Sequence, residues 1–215
     1  MPAIFKTGIW PALLLLTSAA LAAESTVDPG RERLESYLER LDTLTADFSQ
    51  EVVNRDRELV ESASGRVALR KPGRFRWDYL VPFERVIVAD GERVWLYEAD
   101  LEQVTIRRLD AGLGETPAAL LTGNAEILER FEFLGSVQDG DLLWVNLGPR
   151  STDSDFDSIR LGFRGDELVR LELRDRLGQT TQLSFAGQVT GVPLSDEFFR
   201  FDPPEGVDVI SETEF

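Results

Sequence analysis

Two hydrophobic periods divide the chain. Across residues 32–48, apolar side chains fall at Leu34, Leu38, Leu41, Leu44 and Phe48. Steps of four, three, three and four gather them on one stripe of a helix. Arg33, Glu35, Glu39, Arg40 and Asp42 occupy the other faces, so the segment predicts an amphipathic helix over a core. From Ser62 onward the period falls to two. Val67 and Leu69 alternate with Arg66 and Arg70, and Phe75, Trp77 and Tyr79 alternate with Arg74, Arg76 and Asp78. Alternation of this kind gives a strand with one apolar face and one charged face.

The same reading predicts strands at 85–89, 93–98, 103–107, 131–137, 142–147, 158–164, 167–174, 180–187 and 198–201. Asp90-Gly91, Asp139-Gly140, Gly165-Asp166 and Leu177-Gly178 are turn signals between them. About eleven short strands joined by tight turns predict a mostly β fold with some helix, an antiparallel barrel or strongly curled sheet. One interruption stands out. Thr116 suits an N-cap, Pro117 the first helical position and Gly123 the position after the end, which predicts a short helix there.

The N-terminus departs from both periods. It carries one cation, Lys6, then the run Leu13-Leu14-Leu15-Leu16, and ends in Ala20-Leu21-Ala22. A cationic start, a short apolar run and a small-x-small ending predict a secretory signal peptide over 1–22, cleaved after Ala22. The run falls short of the roughly 20 apolar residues that a membrane span requires. Residues 23–215 then form a single domain, exported and soluble.

Composition narrows the chemistry. The 215 residues include 23 Lys+Arg and 39 Asp+Glu, for a formal net charge of −16, and contain neither His nor Cys. Thiol nucleophiles, thiolate metal sites, disulfides and lipidated cysteines are excluded, as are His-based triads and His metal ligands. The acidity argues against nucleic acid, whose phosphates demand a basic footprint. Asp153-Ser154-Asp155-Phe156-Asp157 opens like a calcium loop, but Ser158 and Arg164 occupy the positions that need Gly and Glu. Gly112-Leu113-Gly114 lacks the third glycine of a dinucleotide site, because Pro117 stands there. No catalytic residue, metal site or cofactor site is predicted.

The apolar surface is the stronger signal. Phe75, Trp77 and Tyr79 share one strand face, and large aromatics on such a face ordinarily belong to a core. A curled sheet of this many strands has a wide concave face, however, and few helices to fill it. A barrel of eight or more strands can hold a ligand inside.

The segment from Ser64-Gly65 through Arg70-Lys71-Pro72-Gly73-Arg74-Phe75-Arg76-Trp77-Asp78-Tyr79, with Pro82, Asp90-Gly91, Val94-Trp95 and Tyr97, resembles the periplasmic lipoprotein carrier family, LolA. Phe48-Ser49-Gln50, Gln103, Thr116-Pro117, Leu120-Leu121, Asp175, Gly178-Gln179 and Phe199-Arg200-Phe201 through Asp208 fit in the same order. The resemblance implies an unclosed antiparallel barrel with a helical lid over a hydrophobic cavity. It implies a monomeric periplasmic chaperone, not an enzyme, that takes acylated lipoproteins from an inner-membrane ABC-type release complex to an outer-membrane receptor.

By the same resemblance, Phe75, Trp77, Tyr79 and Leu69 line the cavity, and Leu38, Leu41, Leu120 and Leu121 lie on the lid. The four lid leucines fit a core stripe equally well, since both obey one periodicity. Lys71 stands where the family often has Arg, a basic group that holds the lid shut through backbone carbonyls. Lys can donate there but lacks the planar fork of Arg. Two other readings stay open: a carboxylate-dependent periplasmic hydrolase, and a β protein with an ordinary filled core.

Overall fold

The computed structural model describes residues 27–109, 130–152 and 154–212. The predicted signal peptide, the 116–123 helix with Leu120 and Leu121, and Asp153 of the acidic loop lie outside the described residues. One α-helix, α1 (Pro29–Arg40), precedes β1 (Thr43–Val53), β2 (Leu59–Arg70), β3 (Arg74–Val81), β4 (Arg85–Asp90), β5 (Arg93–Glu98) and β6 (Gln103–Arg108). Then come β7 (Phe131–Asp139), β8 (Leu142–Pro149), β9 (Phe156–Arg164), β10 (Glu167–Asp175), β11 (Thr180–Thr190) and β12 (Asp208–Ser211). All twelve join one sheet in the order β12-β6-β5-β4-β3-β2-β1-β11-β10-β9-β8-β7. Every pairing is antiparallel except β12 on β6, and the edges β12 and β7 do not meet, so the barrel is unclosed. The expected architecture is therefore present, with twelve strands among the described residues rather than about eleven.

The predicted helix overran its true end. α1 begins at Asp28, whose side chain accepts from the Gly30 amide at 2.8 Å, and has Pro29 in its first turn. It ends at Arg40, where Leu41 turns extended. Leu44 and Phe48 then sit on β1, among the inward residues Leu44, Ala46, Phe48, Gln50 and Val52. A spacing of four satisfies a helix and a strand alike, so these two positions could not distinguish the periods. The β-branched Thr43 and Thr45, and pairing with β2 on one side and β11 on the other, decide for the strand.

The C-terminal reading also changes. Residues 198–201 are not a strand. Asp196–Phe199 forms a single 3-10 turn that buries Phe199 completely, beneath the Arg70 guanidinium 5.2 Å from its ring. This turn packs against β3 and β4 on the face that carries Arg74, Arg76 and Asp78. The chain then runs to β12, whose four residues are all exposed and give no burial pattern.

Candidate functional site

The other sheet face is apolar across the barrel, and α1 lies on it. Leu69 of β2 and Phe75, Trp77 and Tyr79 of β3 are 1%, 1%, 2% and 6% exposed on this face. Leu161, Phe163, Leu171, Leu183 and Phe185 continue it from the far strands. The Trp77 and Phe185 rings lie 6.3 Å apart although β2 and β1 separate their strands. Three strand spacings would span about 14 Å in a flat sheet. The sheet therefore curls inward, and this face is concave.

Gly65 shapes that curvature. It pairs with Phe48 on one side and Tyr79 on the other. A Cβ there would meet the Asp78 carbonyl oxygen at 1.9 Å and the Phe48 ring at 3.0 Å. Without a side chain between them, Phe48 reaches over β2 to within 5.0 Å of both Trp77 and Tyr79. Tyr79 donates its hydroxyl to Gln50 Oε1 at 3.0 Å, and burial pushes its pKa up to about 12.

α1 contributes Leu34 and Tyr37 to the same cluster, Leu41 joins them just past the helix end, and Leu38 packs at the margin. Tyr37 meets Phe163 edge-on at 5.4 Å. The helix start is pressed against the β7–β8 edge. Asp28 Oδ1 accepts from Ser136 Oγ at 2.6 Å, and Arg31 stacks over Phe133 at 4.4 Å. The Ser136 hydrogen bond holds the Asp28 carboxyl below its usual range.

At the helix end, Lys71 Nζ donates to the Leu38 carbonyl. That oxygen is among the last four of α1, which have no partner within the helix. Lys71 is one of two lysines in the whole sequence, the other being Lys6. Burial lowers its pKa, opposed in part by Asp42. Arg33 and Arg40 both pair with Asp166 in the β9–β10 turn, Arg40 at 3.1 Å. Arg70, next to Lys71 in the chain, turns to the opposite face and donates to the Leu194 carbonyl and to Asp196.

The predicted residues Leu69, Phe75, Trp77 and Tyr79 thus meet on one face, with Leu38, Leu41 and Lys71 at the helix above it. Sequence reasoning passed over Tyr37, Phe163 and Phe185 and assigned Phe48 to the helix. The alternation of Leu44, Ala46, Phe48, Gln50 and Val52 was the signal for the last.

Known proteins share this plan. A family model described as outer membrane lipoprotein carrier protein LolA matches residues 39–202. An outer-membrane lipoprotein carrier protein of Nitrosospira multiformis is 44% identical over 193 residues, 89% of this chain and 93% of that protein. One from Methylococcus capsulatus is 38% identical over 212 residues, 99% of this chain and 100% of its own. Among solved structures, a LolA superfamily protein from Nitrosomonas europaea aligns with a TM-score of 0.51 at 12% identity, covering 81% of this chain and 98% of that one. At that identity the likeness speaks to the fold alone.

Proposed function

Because the chain belongs to the outer membrane lipoprotein carrier family, LolA, it is a carrier of lipoproteins, and we propose that it holds their acyl chains between the concave sheet face and α1. It works in the periplasm, exported by a signal peptide over 1–22. It receives cargo from an ABC-type release complex of the inner membrane and yields it to an outer-membrane receptor, without catalysing a reaction. Phe75, Trp77, Tyr79 and Leu69 line the acyl chamber, Leu38 and Leu41 face it from the helix, and Lys71 holds the helix down. Leu120 and Leu121 complete the lid.

One observation carries this reading: an unclosed sheet whose concave face is apolar from β3 to β8, covered there by a single described helix. The energetics make such a chamber necessary. Burying an acyl chain of roughly 15 methylenes is worth about 12 kcal/mol, so lipidated proteins leave a membrane for water extremely slowly. A carrier must match that environment closely enough to accept cargo and loosely enough to release it, which a cover with two positions achieves. Mass spectrometry of the protein purified from the periplasm is the test. Co-purifying triacylated or diacylated lipoproteins are expected, and recovery of the protein free of any acylated partner after lipoprotein release is blocked at the receptor step would refute the reading.

A further inference from the structure

Among the described residues, two buried donors on the apolar side of the sheet have no acceptor: the Trp77 indole Nε1–H and the Tyr37 hydroxyl. Trp77 is 2% exposed and Tyr37 7%, and both belong to the single cluster between the sheet and α1. Burial raises the Tyr37 pKa, so its hydroxyl stays protonated as a donor. The neighbouring case sets the contrast. Tyr79, on the same strand face as Trp77, has its hydroxyl satisfied by the buried Gln50. The described residues therefore supply a partner for one buried phenol and none for the other. Native interiors leave few such groups unpaired, because each bears its full desolvation penalty. Phenylalanine would fill either position with an aromatic ring and no orphaned donor. Tyr37 also borders a cavity of about 230 Å³ beneath the helix end, lined by Leu41, Gln188 and Thr190 among others.

We propose that Trp77 and Tyr37 are the polar contacts of the acyl chamber, donating hydrogen bonds to the carbonyl oxygens of ester- or amide-linked fatty acyl groups. This rests on the carrier reading and adds to it a selectivity for the linkage. The chemistry of the two groups defines the ligand. Each offers a donor: Trp77 is enclosed by the apolar cluster, and Tyr37 packs edge-on to Phe163 while it borders the cavity that Arg40, Asp166 and Glu167 also line. The matching group must be an uncharged acceptor carried on an apolar body, because a free carboxylate would bring an unpaired charge into the cluster. An acyl carbonyl is such a group. A plain hydrocarbon tail leaves both donors orphaned, whereas an acylated cargo satisfies them only when its carbonyls are drawn fully into the chamber. The pair thus reports complete loading, not merely the presence of grease.

The test compares two diacyl-type lipopeptides of equal chain length, one with ester linkages and one with ether linkages. Binding is measured to the purified wild-type protein and to the variants Trp77→Phe and Tyr37→Phe. Wild type is expected to prefer the diester by roughly 10-fold or more, and each variant to lose about 5-fold on the diester and less than 2-fold on the diether. Tyr37→Phe should be at least as stable to heat as wild type. The diether arm registers any packing defect that the smaller ring of Trp77→Phe introduces. A second readout needs no substitution in the protein observed: the Trp77 indole N–H resonance, assigned through its absence in Trp77→Phe, should move downfield with the diester and stay in place with the diether. Equal affinity of wild type for both probes, or equal losses on both in the variants, overturns the donor role and leaves the carrier reading standing. Failure of wild type to bind either probe overturns the carrier reading and the donor role together.

Discussion

The two ends of α1 are held by different physics. At its start the contact is one of shape. Gly30 lies so close to β7 that a Cβ on it would come within 2.3 Å of the Ser136 Cβ and 3.1 Å of Val145. Asp28 closes the joint by accepting from the Gly30 amide at 2.8 Å and the Ser136 hydroxyl at 2.6 Å. At its end the contact is one of charge. Lys71 reaches the Leu38 carbonyl, and Arg33 and Arg40 share Asp166, whose side chain is 60% exposed. The 230 Å³ cavity opens beneath this end. The fit at the start responds chiefly to volume, and to acid only through the Asp28 carboxylate. A charge contact responds to salt, pH and the identity of one side chain. A cover fastened in these two ways has one end held mainly by fit and one that salt and the identity of a single side chain can loosen.

The largest effect should come from breaking the shape contact. Gly30→Val places two methyl groups where Ser136 and Val145 already stand. Overpacking of this kind costs about 3 kcal/mol, and thermal unfolding of the variant should show it as a loss of several degrees. Ser136→Gly in the same chain removes the opposing Cβ and should restore part of the loss. A Gly30→Val protein as stable as its parent would mean that the start of α1 is not held by fit.

Next in size is the latch. Lys71→Leu leaves the part-buried Leu38 carbonyl without its donor, a cost of about 1 kcal/mol. Docking of the helix end weakens, so an apolar environment-sensitive dye should bind the empty protein more readily. Lys71→Arg keeps a donor and should bind no more dye than wild type. If Leu, Lys and Arg at position 71 behave alike, the latch idea fails and the apolar contacts of Leu34, Tyr37 and Leu41 hold this end alone.

How far the sequence could be read follows the same division between pattern and contact. Alternation from Val67 to Tyr79 located the concave face, because a half-buried strand must alternate. The β1 strand was hidden because Leu44 and Phe48 serve a period of four as well as a period of two. β12 was hidden because all four of its residues are exposed, so no period exists to detect. The Asp196–Phe199 turn was misread as strand because Phe198-Phe199-Arg200-Phe201 looks like alternation, while Phe199 is in truth buried by a guanidinium from β2. The Asp28–Ser136 joint spans 108 residues and the Lys71 bond 33. No local pattern encodes pairings at that distance; only the family resemblance pointed to Lys71.

The exposed ion pairs at the helix end should matter less than either. Asp166→Asn removes the shared partner of Arg33 and Arg40. Surface pairs are worth about 0–1 kcal/mol, and dye binding at low salt should rise by no more than a few-fold. Salt near about 1 M should erase the difference between variant and parent, since charges more than about 3 Å apart are then screened. A difference that survives high salt would show that Asp166 acts by something other than charge.

The smallest expected effect sharpens the comparison most, because it isolates a single proton. Burial lowers the folded-state pKa of Lys71 below its ordinary 10.5. Between the lowered value and 10.5 the folded chain binds fewer protons than the unfolded chain, and stability must rise with pH across that window. Lys71 is half-exposed, so the rise should amount to a few tenths of a kcal/mol. The bond to Leu38 survives deprotonation, since a neutral amine still donates. The window closes near pH 10 for a separate reason. Burial raises the pKa of both Tyr37 and Tyr79, the latter to about 12, so unfolded phenols ionise first and stability falls above that pH. Lys71→Arg removes the first slope and leaves the second, because a guanidinium does not titrate there. With Lys6 the only other lysine in the sequence, no second lysine among the described residues blurs the measurement, and the α-amino group is common to both proteins. Unfolding free energies of the two proteins, compared by denaturant titration from about pH 8 to pH 10, should converge or cross as pH rises, with wild type gaining on the variant. A constant difference across that range would mean that the Lys71 ammonium keeps its water at the Leu38 carbonyl, and that the end of α1 is not sealed.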